Sequence, residues 1–146
     1  MRSVFRSICP VASALDIIGD KWSLLIMRDM LTRGKKTFKE FSESSEGIAP
    51  GILSARLKWL EENGLMTKQK LPRNQKEIIY LLTEKGIEMA PIIIELLVWS
   101  DNNLRDQNPE MPSISQIGDI SDKSALIAGI QNKYRELINE TLRLTK

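Results

Sequence analysis

The 146-residue chain has no histidine and a single cysteine, Cys9. A structural zinc site takes about four ligands, mostly Cys and His, so that class of site is excluded, as is every triad or dyad built on an imidazole. No metal and no cofactor is expected. One unpaired thiol fits a reducing compartment better than an oxidising one. No apolar run approaches the roughly 20 residues that cross a bilayer, and no secretory signal pattern opens the chain. A cytoplasmic protein is therefore expected. A Gly-rich phosphate loop ending in Lys-Ser/Thr is also missing, and an enzyme is not expected.

What is present is an uneven charge. The total is +2, but residues 1–27 carry +1, residues 28–85 carry +4 and residues 86–146 carry −3. A near-neutral sum can hide a basic working face on one set of elements. The length predicts one domain with room for an appendage, since domains commonly run to about 100–150 residues.

Pro10 suits an early helix position, and Val11, Leu15, Ile17 and Ile18 recur at helical spacing before Gly19. Asp20 can cap a second helix through Leu31, apolar on more than one side and so central, with Trp22 as core packing. Gly34 ends it. A short helix near Thr37 carries Phe38 and Phe41 on one face. From Pro50 to Asn63, Leu53, Leu57 and Leu60 form one stripe. Gly51, Ser54, Ala55, Lys58 and Glu62 lie broadly opposite, with Arg56 on a flank. Leu65–Leu71 and Lys76–Leu82 read as two strands around the basic turn Pro72-Arg73-Asn74-Gln75. Thr83 can cap a helix to about Arg105, which Pro91 should kink or split. Residues 106–120 read as a linker, and Leu126, Ile127, Ile130, Tyr134, Leu137, Ile138 and Leu142 mark an amphipathic helix from Ser121 onward.

Helices followed by a basic-tipped hairpin give the order of a winged helix-turn-helix: mainly α with a small β-hairpin, and additional N- and C-terminal helices. The domain reading is 1–105 winged helix-turn-helix, 106–120 linker, and 121–146 C-terminal helix. Such readers place the second helix of the motif in the major groove of duplex DNA. Close approach to base edges asks for small residues, which Gly51, Ser54 and Ala55 supply, and phosphates ask for Lys and Arg nearby. Arg56, Lys58, Arg73, Asn74 and Lys76 are the candidates, with Lys35, Lys36 and Lys39 placed to grip the backbone from the preceding turn. Each could instead be a solvated or internally paired surface residue.

Residues 9–31, CPVASALDIIGDKWSLLIMRDML, resemble the opening of HxlR-type transcriptional regulators, as do residues 48–65 and 79–99 in order and spacing. The resemblance spans roughly residues 5–105 and implies a homodimeric, non-enzymatic DNA-binding regulator acting on a palindromic operator. It implies dimer contacts from the N-terminal and C-terminal helices. Some members use a Cys beside the first helix to sense oxidants or electrophiles, and Cys9 stands there, as a sensor or as an unreactive small residue. Arg6 and the helix start could favour its thiolate. Gly51 and Ala55 depart from the family, which commonly has a basic residue and Gln there, so base readout from this helix is expected to be thinner.

The helix from Ser121 extends past the family pattern. Its stripe, Ile127, Ile130, Tyr134, Leu137 and Ile138, belongs to a dimer interface or to a clamp on its own subunit, and the prevalence of two-fold dimers favours the first. The alternative function is a winged-helix protein-interaction module without DNA binding.

Overall fold

The computed structural model describes residues 5–71 and 74–144, with backbone alone at residues 74, 75 and 144. Pro10–Ile18 forms α1, and its first residue is the proline, where the missing N–H costs nothing. α2 is Ser23–Arg33. Asp20 does supply its cap, but across one intervening turn: its carboxylate accepts the amides of Trp22 and Ser23 and the Ser23 hydroxyl. Gly34 closes α2 with φ +64°, and a Cβ there would press on Leu137 at 3.0 Å, so both conformation and space select glycine.

α3 is Phe38–Ser42, started by a reciprocal capping box between Thr37 and Glu40. Phe41 is buried, but Phe38 is 38% exposed. In so short a helix, Phe38 at the first position overhangs the end of the core. α4, Pro50–Glu62, buries Leu53, Leu57 and Leu60 as its spacing predicts. β1, Met66–Leu71, pairs antiparallel with β2, Asn74–Leu82, in a two-stranded sheet.

The helix expected from Thr83 to Arg105 is split at the proline. α5 is Glu84–Ile87 and α6 is Ala90–Asn103, with Pro91 in the first turn of α6, where the ring meets no preceding carbonyl. Residues 106–120 hold a single 3₁₀ turn, Ile114–Gln116, and Arg105 holds this segment to α6 by donating to the carbonyls of Met111 and Pro112 at 2.8 and 3.2 Å. α7, Lys123–Leu144, packs on α2 and α6.

One core joins the helices and the hairpin. Met27, Met30, Leu53, Leu57, Leu60 and Tyr134 belong to a single buried cluster, and Trp22 packs at its edge. α7 is therefore part of the same body as the helix-turn-helix.

Candidate nucleic-acid interface

α4 presents two chemically distinct sides. The leucine side is sealed, while Gly51, Ser54, Ala55, Lys58 and Glu62 are exposed. A Cβ at Gly51 would meet nothing within 4 Å, so the first turn has open space before it. The Lys58 side chain is 77% exposed and its nearest carboxylate, Glu62, is 3.9 Å away. Sequence reasoning missed Ile52, which is 44% exposed beside Gly51. Its signal was its place in the first turn, one step off the leucine stripe. An exposed apolar side chain on such a helix can meet a thymine methyl group.

Arg56 is oriented by its own chain. Its guanidinium lies 3.5 Å from Asp20 and 5.6 Å from the centroid of the Trp59 ring. Trp59 in turn donates its indole N–H to the carbonyl of Ile17 at 2.9 Å. These contacts fix the pitch of α4 against the α1–α2 junction. Burial alone would raise the Asp20 carboxyl, but the Ser23 hydroxyl, the amides of Trp22 and Ser23, and Arg56 together hold it below its usual value.

The loops that carry α3 and α4 are organised by Asp29, a residue the sequence reading did not single out. It is 2% exposed, yet it meets Arg28 at 2.8 Å, Arg33 at 3.1 Å and Lys35 at 3.3 Å, and it accepts the Ser44 hydroxyl. Burial pushes its pKa up, but the Ser44 hydroxyl and the Arg28 and Lys35 charges outweigh that, and the net shift is downward. Arg28 also reaches Glu46 at 2.9 Å. One carboxylate thus ties α2 to both ends of the segment that precedes α4. Its signal was the one acid of α2, between Arg28 and Met30 on a largely apolar helix, where burial demands partners.

The lysines of the α2–α3 turn differ in freedom. Lys35 is held by Asp29 and Ser44, and Lys36 donates to Thr141 at 3.3 Å, both half-buried. Lys39 is exposed. The carbonyl of Lys36 accepts the Tyr80 amide at 2.7 Å, which fastens this turn to the hairpin. On the hairpin, Lys76 is exposed, and so are Lys68 and Lys70, which were not among the expected contacts. Their alternate spacing on a strand was the available signal, since it places both on one face. Arg73 lies outside the described residues, and of Asn74 only the backbone is described.

Of the five residues expected at a dimer contact, Tyr134 is 2% exposed inside the chain's own core, and Ile127, Ile130, Leu137 and Ile138 are half-buried against it. Leu142, also on α7, is 36% exposed, and further exposed apolar side chains include Ile8, Val11 and Leu15 at and along α1, and Ile92, Leu96 and Trp99 on α6. Cys9 is an exposed free thiol at the N-terminus of α1. Arg6, its basic neighbour in sequence, is bonded to Asp16 at 2.5 Å. Among the described residues no group of acids or thiols is arranged to hold a metal ion, and no helix is long and apolar enough to cross a membrane.

The family model described as HxlR-like helix-turn-helix matches residues 17–108. The HTH-type transcriptional regulator YodB of Bacillus subtilis (strain 168) is 38% identical over 97 residues, covering 66% of this chain and 86% of that protein. Its quinone-bound structure superposes with TM-score 0.54 at 36% identity, covering 65% of this chain and 99% of that one. PA1607, a candidate transcription factor, superposes with TM-score 0.67 at 34% identity, over 80% of this chain and 79% of that one. The redox regulator HypR in its reduced form gives TM-score 0.60 at 30% identity, over 69% and 99%.

Proposed function

The chain belongs to the HxlR-like helix-turn-helix family, and from that premise we propose that it is a cytoplasmic transcriptional regulator that binds duplex DNA as a homodimer on a palindromic operator. The observation that carries this reading is α4: its leucines are buried, while its outer face exposes small residues, Ile52 and Lys58. That face has the shape to enter a major groove, with the exposed Lys39, Lys68, Lys70 and Lys76 for phosphates, and with Arg73 and Asn74 read as further contacts. Arg56 adds charge on the flank, and Lys35 and Lys36 act chiefly by holding the α2–α3 turn. The protein works by binding and not by catalysis.

The exposed apolar side chains of α1 and α6 support pairing with a second copy, because an apolar surface of this kind calls for cover. The stripe of α7 is largely used inside its own subunit. In a two-fold dimer, half-sites lie about one helical turn of DNA, or a multiple, apart.

Lys58→Ala and Arg73→Ala test the DNA face by gel-shift titration at moderate salt. Both should weaken binding; wild-type behaviour of both removes the assignment. A second reading, a protein-interaction module, is favoured by Gly51 and Ala55, which offer no polar side-chain atom to a base. It predicts an association that salt barely affects, whereas phosphate binding falls steeply with salt.

Cys9 is read as the point where an oxidant or electrophile acts, supported by its exposure and by the quinone-bound and redox-poised relatives. Treatment with a quinone or peroxide should change the DNA affinity of the wild type and leave Cys9→Ser unchanged. An equal response from both removes Cys9 as the sensor.

A further inference from the structure

A cavity of about 540 Å³ opens between α2, α6 and the segment around the 3₁₀ turn. Its walls are aliphatic, with Leu25 from α2, Ile93 and Leu97 from α6, and Ile117 from the segment that follows. Its polar lining consists of Arg28, Thr32, Arg33, Ser100 and Gln116, and its charged side chains are Arg28 and Arg33. The volume and the mix of apolar wall with few convergent polar groups are those of a small-molecule site. Part of this wall, at Pro112, Gln116 and Ile117, lies beyond the 17–108 segment that matches the family.

The charges around its two arginines do not balance. Arg28, Arg33 and Lys35 meet Asp29 and Glu46, three positive charges against two negative. Arg28 is shared between both acids, whereas Arg33 touches Asp29 alone and its side chain is 51% exposed. Arg33 is therefore the cation free to turn toward a guest. We propose that this cavity binds a small organic monoanion, an aromatic or branched aliphatic carboxylate. Its apolar body lies on Leu25, Ile93 and Leu97, and its carboxylate meets Arg33.

Such a guest acts on the DNA-reading helix through Asp29, and this regulatory half rests on the DNA-binding reading above. Drawing Arg33 away leaves Asp29 with fewer partners. The same carboxylate holds Ser44, in the turn before α4, and Lys35, in the turn before α3. Occupancy is thus coupled to the placement of α4, and a coupling of this kind typically changes affinity about five- to a hundredfold.

The probe is 2-naphthoate, with the neutral 2-naphthylmethanol as control, titrated into the full chain and followed by calorimetry. The site predicts saturable binding of one naphthoate per chain and a loss of about tenfold or more in Arg33→Gln, with the alcohol little affected. Leu97→Trp, which fills the cavity, should abolish both. Arg33 is half-exposed, so Arg33→Gln keeps the test decisive should Leu97→Trp fold poorly. Absence of saturable binding, or naphthoate affinity unchanged in Arg33→Gln, overturns the site. If naphthoate fails to bind and Leu97→Trp instead yields monomers, a second copy fills the groove and the proposal falls. Naphthoate that binds without weakening the protein's grip on DNA overturns the regulatory half. A wild type that never binds DNA overturns the functional reading, and the naphthoate titration still decides the site.

Discussion

The hydroxyl of Tyr134 in α7 accepts the backbone N–H of Leu82, the last residue of β2, at 2.8 Å inside the core. α7 lies outside the family-matched segment, yet this bond, with Arg135 on Glu84 at 2.9 Å and Lys36 on Thr141, fastens it to the base of the hairpin and to the turn before α3. Tyr134→Phe leaves a buried amide without its partner. The expected cost is about 1–3 kcal/mol, read as a lower urea midpoint with an unchanged slope. An unchanged midpoint would show that water or rearrangement replaces the bond.

Burial pushes the Tyr134 phenol up to about 12, against a smaller opposing effect of the Leu82 amide. A raised pKa favours the neutral form in the folded protein, so its contribution is complete below the ordinary tyrosine value near ~10. It is lost as pH climbs from there toward 12. Stability measured across this interval should fall in the wild type and fall less in Tyr134→Phe.

Asp29 works in the opposite direction of pH. Its lowered pKa makes its contribution present above the ordinary carboxylate range, near ~4, and lost as pH falls through its depressed value. Asp29→Asn removes the charge from between Arg28, Arg33 and Lys35, and should cost about 3 kcal/mol or more, because paired cations lose their counter-ion in a buried place. Ser44→Ala, which spares the charges, should cost about 1 kcal/mol. Equal costs for the two substitutions would contradict a charge-organised hub.

Lys58 and Arg56 should separate binding from stability. Lys58→Ala should leave the urea midpoint nearly unchanged, within about 0.5 kcal/mol, while weakening DNA binding. Arg56→Ala should also lower stability, by about 1 kcal/mol, since it uncovers Trp59 and takes a partner from Asp20. Identical stability profiles would mean that Arg56 has no structural share.

The elements were legible wherever one short-range rule decided them. Leu53, Leu57 and Leu60 gave α4, the run at residues 78–82 gave β2, although that strand starts at Asn74, inside the expected turn and two residues before Lys76, and Pro91 marked the break between α5 and α6. What escaped was long-range. Nothing in the local pattern of α7 says that Tyr134 meets Leu82, 52 positions away, so the prevalence of two-fold dimers points its apolar stripe to a partner subunit, while the fold packs the stripe largely on its own core. Asp29 gathers partners up to 15 positions away, and its role exists only once α2 and the turn before α4 are folded together. On the DNA face, Gly51, Ser54, Ala55 and Lys58 followed from helical geometry; the first-turn place of Ile52 and the alternation of Lys68 and Lys70 were visible too, but that these side chains stay exposed emerges only in the folded chain. The internal ties of Lys35 and Lys36 were equally out of reach.

The most direct test of the central claim is the salt dependence of DNA affinity. Fluorescence anisotropy with a duplex selected from a randomised pool should be run at stepped salt for the wild type and for the triple variant Lys58→Ala, Lys68→Ala, Lys70→Ala. If α4 and the hairpin grip the phosphates, log affinity falls steeply and linearly with log salt for the wild type, and the slope shrinks by about 0.9 for each phosphate contact removed. A wild-type affinity that salt leaves nearly flat, or a triple variant with the wild-type slope, would contradict it.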